Sequence, residues 1–411
     1  MGPLVTRWLA RGILATVSVV IVFLVIDAAL GVLYPQVPII ASDSRFGTLL
    51  RPNLSVRKAF GGHERVVTVT TNTFGLRGPE LPAAKAPGTL RILALGDSFT
   101  FGDAVQVDEA WPHQLEQRLN ASDDRRYEVV NAGVGGYGTA HELLLSRALM
   151  PSVQPDLVVL GFSVVNDILD NLCIDEASYG PRRSAPCFTL DGDRLAFVEP
   201  APAQAGRASR SWRAPGSRAA DVLRGQVRRL MFWNPRVLDV AQRLGVHLDL
   251  PYMPATIASW YDDRYSARGW ALTRRLLLEL RDQVAARGLS LVILIVPASV
   301  QAEGADGAKK AILRSLGGEQ GMVRAFLQDP TKPQALIARF CADARIECVD
   351  PLPSLLDAES RGQRAYYPVD QHWTPLGHGV AADAVAIRLR RLGWMDTVPT
   401  ARPGSARHAS R

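Results

Sequence analysis

The sequence predicts an α/β fold, a parallel β-sheet covered by helices on both faces. Three observations carry this. From about residue 89 onward short apolar runs alternate with segments of helical period, and that rhythm implies a parallel sheet. The run Asp156–Phe162 (DLVVLGF) is apolar throughout after its first residue, as a strand buried on both faces must be. Glycine-bearing turns follow the first two runs, at Gly96 and within 131–138, where ligands of such sheets bind.

The composition agrees. The chain has 411 residues, 47% hydrophobic and 21% charged, which excludes a mainly disordered chain. Its length allows two or three domains, or one enlarged domain with insertions. Gly and Pro follow no fixed period, so collagen-like and solenoid readings fall. The net charge of +7 is mild for this length and dispersed. With no recognised nucleic-acid motif beside it, nucleic acid is not an expected partner.

Taken in order, Gly12–Leu33 is an apolar run long enough to cross about 30 Å of hydrocarbon as a helix. Its one charge is Asp27, with Arg7 and Arg11 before it and no Lys or Arg after it until Arg45. The positive-inside rule then puts residues 1–11 in the cytoplasm and the following chain in the periplasm. The expected location is a single-pass anchor in the cytoplasmic membrane. A signal peptide cleaved near Ala28-Ala29 competes with this; the length of the run and the lack of a clear A-x-A site favour the anchor.

Residues 34–88 read as a linker and a small β-rich lead-in, with an alternating strand at Arg65–Thr71 and a Pro/Ala linker at 81–88. The α/β domain spans 89–395. Its strands are expected at Arg91–Gly96, Tyr127–Asn131, Asp156–Phe162, Leu289–Val296 and Ile346–Val349. Its helices are expected at Ala110–Leu119, Thr139–Met150, Ala267–Arg287, Gln334–Ala344 and Leu376–Leu392. An insertion at about 171–262 is rich in Pro, Arg and Ser. Within it Ala219–Phe232 has the spacing of an amphipathic helix. It reads either as a lid or basic surface for an anionic glycan or phospholipid, or as a helix packed on the core with its Arg face solvated; the second is favoured. Trp212, Trp233, Trp260, Arg228 and Arg229 could line a glycan groove, with core packing favoured for the Trp residues. Residues 396–411 read as a disordered tail.

Four cysteines fall as two local pairs, Cys173/Cys187 and Cys341/Cys348. Three pairings are open to four cysteines. An oxidising compartment favours disulfides, and the local pairing is preferred over buried free thiols. No metal site is expected, because no C-x-x-C occurs and no His stands at ligand spacing to either pair.

The chemistry centres on Gly96-Asp97-Ser98, directly after an apolar strand, where a serine is exposed at the mouth of the sheet. As a helix cap the same residues need no catalytic role. A serine becomes a nucleophile only when a base takes its proton. Of seven histidines, only His372 has an Asp two residues earlier, Asp370, able to fix its tautomer if the loop curls back. Asn131-Ala-Gly-Val-Gly-Gly136-Tyr-Gly138 follows the second strand, and a backbone N–H there can point at a substrate oxygen. Asn166-Asp167 follows the third strand, and Asn166 can donate its side-chain amide.

These four blocks, in this order, resemble those of the SGNH/GDSL hydrolases. That family shows G-D-S, then N-x-x-x-x-G, then G-x-N-D, then D-x-x-H or D-x-H near the C-terminus. Here Gly96–Ser98, Asn131–Gly136, Asn166-Asp167 and Asp370–His372 match. The resemblance covers about 89–170 and 265–392, and it is to bacterial, membrane-anchored members. One departure is the run Gly161–Asn166, longer than a tight G-x-N-D. Upstream, Asn72-Thr-Phe-Gly-Leu-Arg-Gly78 also resembles lead-ins of bacterial members.

The resemblance implies a flavodoxin-like three-layer α/β/α fold and ester chemistry without a cofactor. Ser98 is then the nucleophile, His372 the base and Asp370 its orienting acid. The oxyanion is held by the Ser98 N–H, the Gly136 N–H and the Asn166 amide. The expected substrate is an acyl ester, acetyl above all, on a cell-surface glycan. Transfer to an exported polysaccharide with a membrane acyl-export partner is the alternative. A non-catalytic glycan-binding protein is the third reading, and the intact blocks argue against it.

Overall fold

The computed structural model describes residues 3–35, 37–60, 65–82, 84–121, 126–172, 174–175, 180–181, 186–199, 259–302, 320–368 and 370–394, with scattered residues between 217 and 244. Helix α1 (Pro3–Leu33) opens the chain. Its Arg11–Leu33 stretch is long and apolar enough to cross a membrane, by length and composition, and none of its apolar window is buried. Two antiparallel hairpins follow, β1 (Ile40–Asp43) with β2 (Gly47–Leu50), and β3 (Ser55–Phe60) with β4 (Arg65–Thr70). The sequence shows only β4, because β1 and β2 are too short for a visible period and β3 carries Arg57 and Lys58.

The α/β domain runs β5 (Thr89–Gly96), α2 (Ser98–Phe101), α3 (Trp111–Asn120), β6 (Arg126–Gly133), α4 (Thr139–Val153), β7 (Leu157–Ser163) and α5 (Asp167–Asn171). After a hairpin in the insertion, β8 (Cys187–Asp191) with β9 (Arg194–Val198), come α6 (Ser266–Ala285), β10 (Ser290–Val296), α7 (Lys332–Ala344), β11 (Glu347–Val349), α8 (Leu352–Ser360) and α9 (Pro375–Arg391). Each expected strand and helix of the domain appears, shifted at its ends by one to three residues. The additions are the short helices α2 and α5, helix α8, and two further helical segments at Ser299–Ala302 and Gln320–Gln328; α8 is the one that follows β11. Its apolar contacts are Leu352, Leu355 and Ala358, a stripe too short to register as a period.

Five strands form one parallel sheet in the order β6-β5-β7-β10-β11. In chain order this is 2-1-3-4-5, the flavodoxin-like arrangement, whose direction reverses between its first and third strands. Those strands, β5 and β7, are buried along their whole length, which explains the apolar runs Ile92–Gly96 and Leu157–Phe162. Ser98 and Asn166 follow their carboxyl ends, at the switch point where such sheets bind ligands.

A row of glycines crosses the sheet at that level. Gly96 lies in register with Gly133 of β6 and with Gly161 of β7. A Cβ on Gly96 or Gly161 would overlap the Thr100 hydroxyl, and one on Gly133 would overlap the backbone of Thr100 and Phe101. The row therefore lets α2 lie directly on the ends of three strands.

Cys341 and Cys348 form a disulfide between the end of α7 and β11. Cys187 is also disulfide-bonded, and Cys173 lies outside the described residues. So do Trp212, Trp233, Arg228, Arg229 and the 396–411 tail. Trp260 is buried in the core, and its indole N–H donates to the Val164 carbonyl at 2.7 Å. The expected helix at Ala219–Phe232 has helical residues at 222, 223, 226, 227, 230 and 231. The packing favoured for it is corrected: Met231 is buried, but Leu223, Val227 and Leu230 are exposed. The segment begins against α1 rather than the sheet, since Ser217 Oγ and the Ala219 N–H both donate to Asp27 Oδ1, at 2.7 and 2.9 Å.

Substituting Gly133→Ala is expected to lower stability by about 1–3 kcal/mol, the usual cost of forcing extra volume into a packed site. Denaturant unfolding of the variant beside the wild type checks this, with Gly135→Ala, where an added Cβ meets only ordinary contact, as the mild control.

Candidate active site

Ser98 is the first residue of α2. Asp97 caps that helix, accepting the Phe99 N–H at Oδ1 at 2.8 Å. Gly102 ends it in the left-handed region at φ 88°. Phe99, Thr100 and Phe101 are buried, so Ser98 alone in α2 reaches toward solvent.

Two groups hold the far end of α2. Asn131 Nδ2 donates to the Thr100 and Phe101 carbonyls at 2.9 and 3.3 Å, while its Oδ1 accepts the Gly133 N–H at 3.0 Å. The buried Arg77 guanidinium donates to the carbonyls of Phe101 and Val105, each at 2.6 Å, and to that of Gly102. It also lies 4.3 Å from the centre of the Phe101 ring. A cation over the last carbonyls of a helix satisfies groups the helix itself leaves open. This gives the Asn72–Gly78 block its role, which the sequence alone did not supply.

His372 comes from the loop before α9. Its Nε2 is 2.7 Å from Ser98 Oγ, and its Nδ1 is 3.0 Å from Asp370 Oδ2. With the ring proton on Nδ1, Nε2 accepts from the serine hydroxyl. The Asp two residues away reaches the ring because Gln371, between them, sits at φ 64°. A left-handed non-glycine residue costs about 1–2 kcal/mol. Its neighbours hold it there: the Gln371 N–H donates to the Tyr367 carbonyl and the Tyr367 N–H to the His372 carbonyl, both at 2.9 Å. Phe99 packs on the other side, its ring centre 4.7 Å from that of His372 and 5.1 Å from that of Trp373.

Gly135 faces Ser98, with ordinary van der Waals distance from its Cβ direction to Ser98 Cβ, and Gly136 follows at φ 78°. The loop is tied to β5 by the Val134 N–H, which donates to the Gly96 carbonyl at 3.0 Å. Asn166 caps α5 and is buried. Its Nδ2 donates to Asp170 Oδ2 at 2.7 Å, a partner the sequence reading missed. Because Asp170 is four residues on, one turn of α5 aims the amide.

The electrostatics are dominated by buried carboxyls. Burial works against a charged His372, but the charge and hydrogen bond of Asp370, with Asp103 and Asp97 beyond, outweigh it and raise the imidazole to about 9. Burial pushes Asp97 up to about 7, against the Phe99 N–H and His372, which lower it. Glu142 and Asp167 are raised well above the carboxylate range, first by burial and then by Asp97 and Asp170, with Glu142 acting on Asp167 as well. Like charges this close share protons rather than all ionise. Among the described residues no group of three or more His, Cys, Asp or Glu has metal-holding geometry.

With fold and site in hand, two family descriptions match the chain. The GDSL-like Lipase/Acylhydrolase family matches residues 94–291, which hold Ser98, Gly136 and Asn166. The SGNH hydrolase-like domain of the acetyltransferase AlgX matches residues 258–405, which hold Asp370 and His372. The two matches overlap and together make residues 94–405 an SGNH/GDSL-type domain, an enzyme of the hydrolase or acetyltransferase kind. No curated protein matches it. Similar solved structures include TesA, at 13% identity over 74% of this chain and 99% of that one, with a TM-score of 0.35. Others are a GDSL-like lipase from Bacteroides thetaiotaomicron (10%, 76% and 93%, 0.35) and the acetyl xylan esterase AlAXEase (12%, 73% and 100%, 0.32).

Three outcomes follow from this geometry. A base must be neutral to accept a proton, so kcat/KM for ester cleavage is expected to rise with pH and level off only above about 9. Asp370→Asn removes the charge that raises His372; the inflection moves to lower pH and the plateau falls by on the order of a thousandfold or more. The first two are read from pH–rate profiles. Arg77→Met takes the guanidinium away from three carbonyls, leaving that of Phe101 with Asn131, that of Gly102 with the Val105 N–H and that of Val105 with neither, and is expected to cost about 2 kcal/mol or more in denaturant unfolding.

Proposed function

We propose that the chain cleaves acyl esters through an acyl-Ser98 intermediate, outside the cytoplasmic membrane, with acetyl esters of a cell-surface glycan as the substrate class. The observation that carries this is the continuous contact from Ser98 Oγ to His372 Nε2 and from His372 Nδ1 to Asp370. Ser98 Oγ attacks the acyl carbonyl carbon while His372 Nε2 takes the hydroxyl proton. The tetrahedral intermediate collapses, the ester C–O bond breaks, and the leaving alkoxide takes the proton back from Nε2. Water then attacks the acyl carbon as His372 accepts its proton, and the acid leaves with Ser98 restored.

Developing negative charge on the carbonyl oxygen is met by the Ser98 and Gly136 N–H groups and the Asn166 amide. The hydrogen bond to Asp170 supports the last of these, since it fixes the amide plane and leaves a second N–H on Nδ2 for the oxyanion. Each such donor is worth about 2.7–4 kcal/mol in the transition state. The apolar α1 supports placement at a membrane, with the α/β domain on its outer side.

A second reading is favoured by one observation: the half that carries Asp370 and His372 matches the domain of an acetyltransferase. In that reading a glycan hydroxyl replaces water in the second half-reaction, and a membrane partner supplies the acyl group. The full chain in detergent, wild type beside Ser98→Ala, tests both with p-nitrophenyl acetate, with and without cellopentaose. Ser98→Ala is expected to lower turnover by at least about a thousandfold; retained activity overturns Ser98 as nucleophile. Release of acetate in water alone reads as hydrolysis, and acetylated cellopentaose by mass spectrometry reads as transfer.

A further inference from the structure

Asp27 is the one charge within the apolar stretch of α1, and it caps a segment almost two hundred residues away. Its Oδ1 accepts from Ser217 Oγ and from the Ala219 N–H, at 2.7 and 2.9 Å. A helical stretch starts there and includes residues 222, 223, 226, 227, 230 and 231. It ends at Asn234, whose N–H donates to the Leu230 carbonyl at 3.0 Å. Asn234 Oδ1 then accepts the N–H groups of Arg236 and Val237 and so starts a second stretch that reaches Leu244.

One side of this element faces the domain, through buried Met231 and half-buried Val237. Another side does not. Leu223 is 64% exposed, Leu230 53%, Val240 57% and Leu244 76%, with Val227 beside them. Residues 223, 227 and 230 follow i, i+4, i+7 and make one stripe. A row of bare leucines and valines is costly in water, in proportion to the apolar surface it shows.

The position of Asp27 says what covers that row. It lies about 9 Å along the axis from Leu33, the end of α1, and about 24 Å from Arg11. If α1 spans a bilayer, Asp27 sits near the outer boundary between acyl chains and headgroups. Amphipathic helices bury their apolar faces about 5–10 Å into that boundary. The segment thus starts at the depth where such a helix lies. Its sequence from 217 to 244 carries six Arg against two Asp, and Arg236 is exposed, as suits an anionic headgroup layer.

We propose that this element of the insertion lies in the outer interface of the membrane that α1 crosses, with the Leu223–Val227–Leu230 stripe among the acyl chains. Together with α1 it holds the domain at a fixed height and orientation over the bilayer. The inference rests on the reading of α1 as a membrane span, and the test keeps the two apart.

The native cysteines at 187, 341 and 348 are disulfide-bonded, so an introduced thiol can be labelled with an environment-sensitive fluorophore. Full-length Leu223→Cys, Leu230→Cys, Val20→Cys and Ser360→Cys proteins are placed in vesicles of phosphatidylcholine and phosphatidylglycerol. Ester cleavage by each labelled protein checks that it is folded. The labels at 223 and 230 are expected to be quenched by nitroxides near the headgroups, and to resist aqueous iodide at least about threefold more than the label at 360. The label at 20 is expected to be quenched by nitroxides deep in the bilayer.

Iodide access at 223 and 230 with deep quenching at 20 overturns the proposal and leaves the membrane span standing. Protection from both iodide and lipid nitroxides at 223 and 230 also overturns it, since a protein surface then covers the stripe. Iodide access at 20 removes the span and the proposal with it. Adding Asp27→Ala is expected to restore iodide access at 223 while quenching at 20 persists.

Discussion

The site depends on how closely α2 approaches the sheet. A serine at a strand end is useful only if its Oγ stands clear of the backbone and its helix cannot rock. Here α2 rests on the carboxyl ends of β5, β6 and β7 at once, because Gly96, Gly133 and Gly161 present no side chain to it. A helix of one turn has little stability of its own, so its position is set by what holds it. Asp97 closes the first turn, while Asn131 and Arg77 take the carbonyls of the last. The hydrophobic face of the same turn, Phe99 and Phe101, then becomes a wall against which other parts are placed. The lead-in hairpins follow from this: they carry the strand end from which Arg77 reaches α2.

The histidine is brought to that fixed serine by a separate device. Helix α9 docks on α3, where the Trp111 N–H donates to His378 Nδ1 at 3.2 Å and Gln114 Nε2 to the Pro375 carbonyl at 3.0 Å. Thr374 and Pro375 start α9 and so end the loop that holds His372. Within the loop, buried Trp373 anchors one side and Tyr367 the other. Gln371 is held in the left-handed region between them, and only that fold-back lets an Asp two positions away face Nδ1. Tyr367 also ties the loop to the lead-in, since its hydroxyl takes a hydrogen bond from Arg65 and gives one to the Ala104 carbonyl, both at 3.2 Å. Serine and histidine, 274 residues apart in sequence, are registered through the same lead-in.

This explains what could be read from the sequence and what could not. Strands β5 and β7 were legible because burial on both faces leaves unbroken apolar runs, and α4, α6 and α9 because their periods are long. The meeting of Ser98 and His372 was legible because the nucleophile and base proposed for them must be particular residue types at strand ends. Arg77 was not: its role is a contact with main-chain carbonyls, which have no sequence signature. Asp170 and Glu142 were hidden for a related reason. On a helix they look like solvated acids, and only the fold shows that both lie fully buried beneath the site. The exposed stripe at Leu223, Val227 and Leu230 has the same spacing as a core-facing stripe. Period tells that a face is apolar, and not whether protein or lipid lies against it.

The chain from Ser98 to Asp370 cannot choose between water and a sugar as acceptor, since the acyl-serine chemistry is the same for both. Concentration sets the terms instead. Water is present at about 55 M, so an acceptor at about 1 mM must be preferred by nearly five powers of ten to compete, or about 6.6 kcal/mol at 1.4 kcal/mol per tenfold. Three or four well-placed hydrogen bonds to charged groups are of that size. A transferase therefore needs a built acceptor groove, helped by a high local concentration of acceptor. Tethering supplies the second, because two partners confined to one surface meet at millimolar or greater effective concentration without any added contact, which narrows the gap but does not close it. A domain held at fixed height by α1 and the insertion would see a membrane-borne or surface-bound glycan in that way. The acceptor question thus belongs to the insertion and the membrane as much as to Ser98.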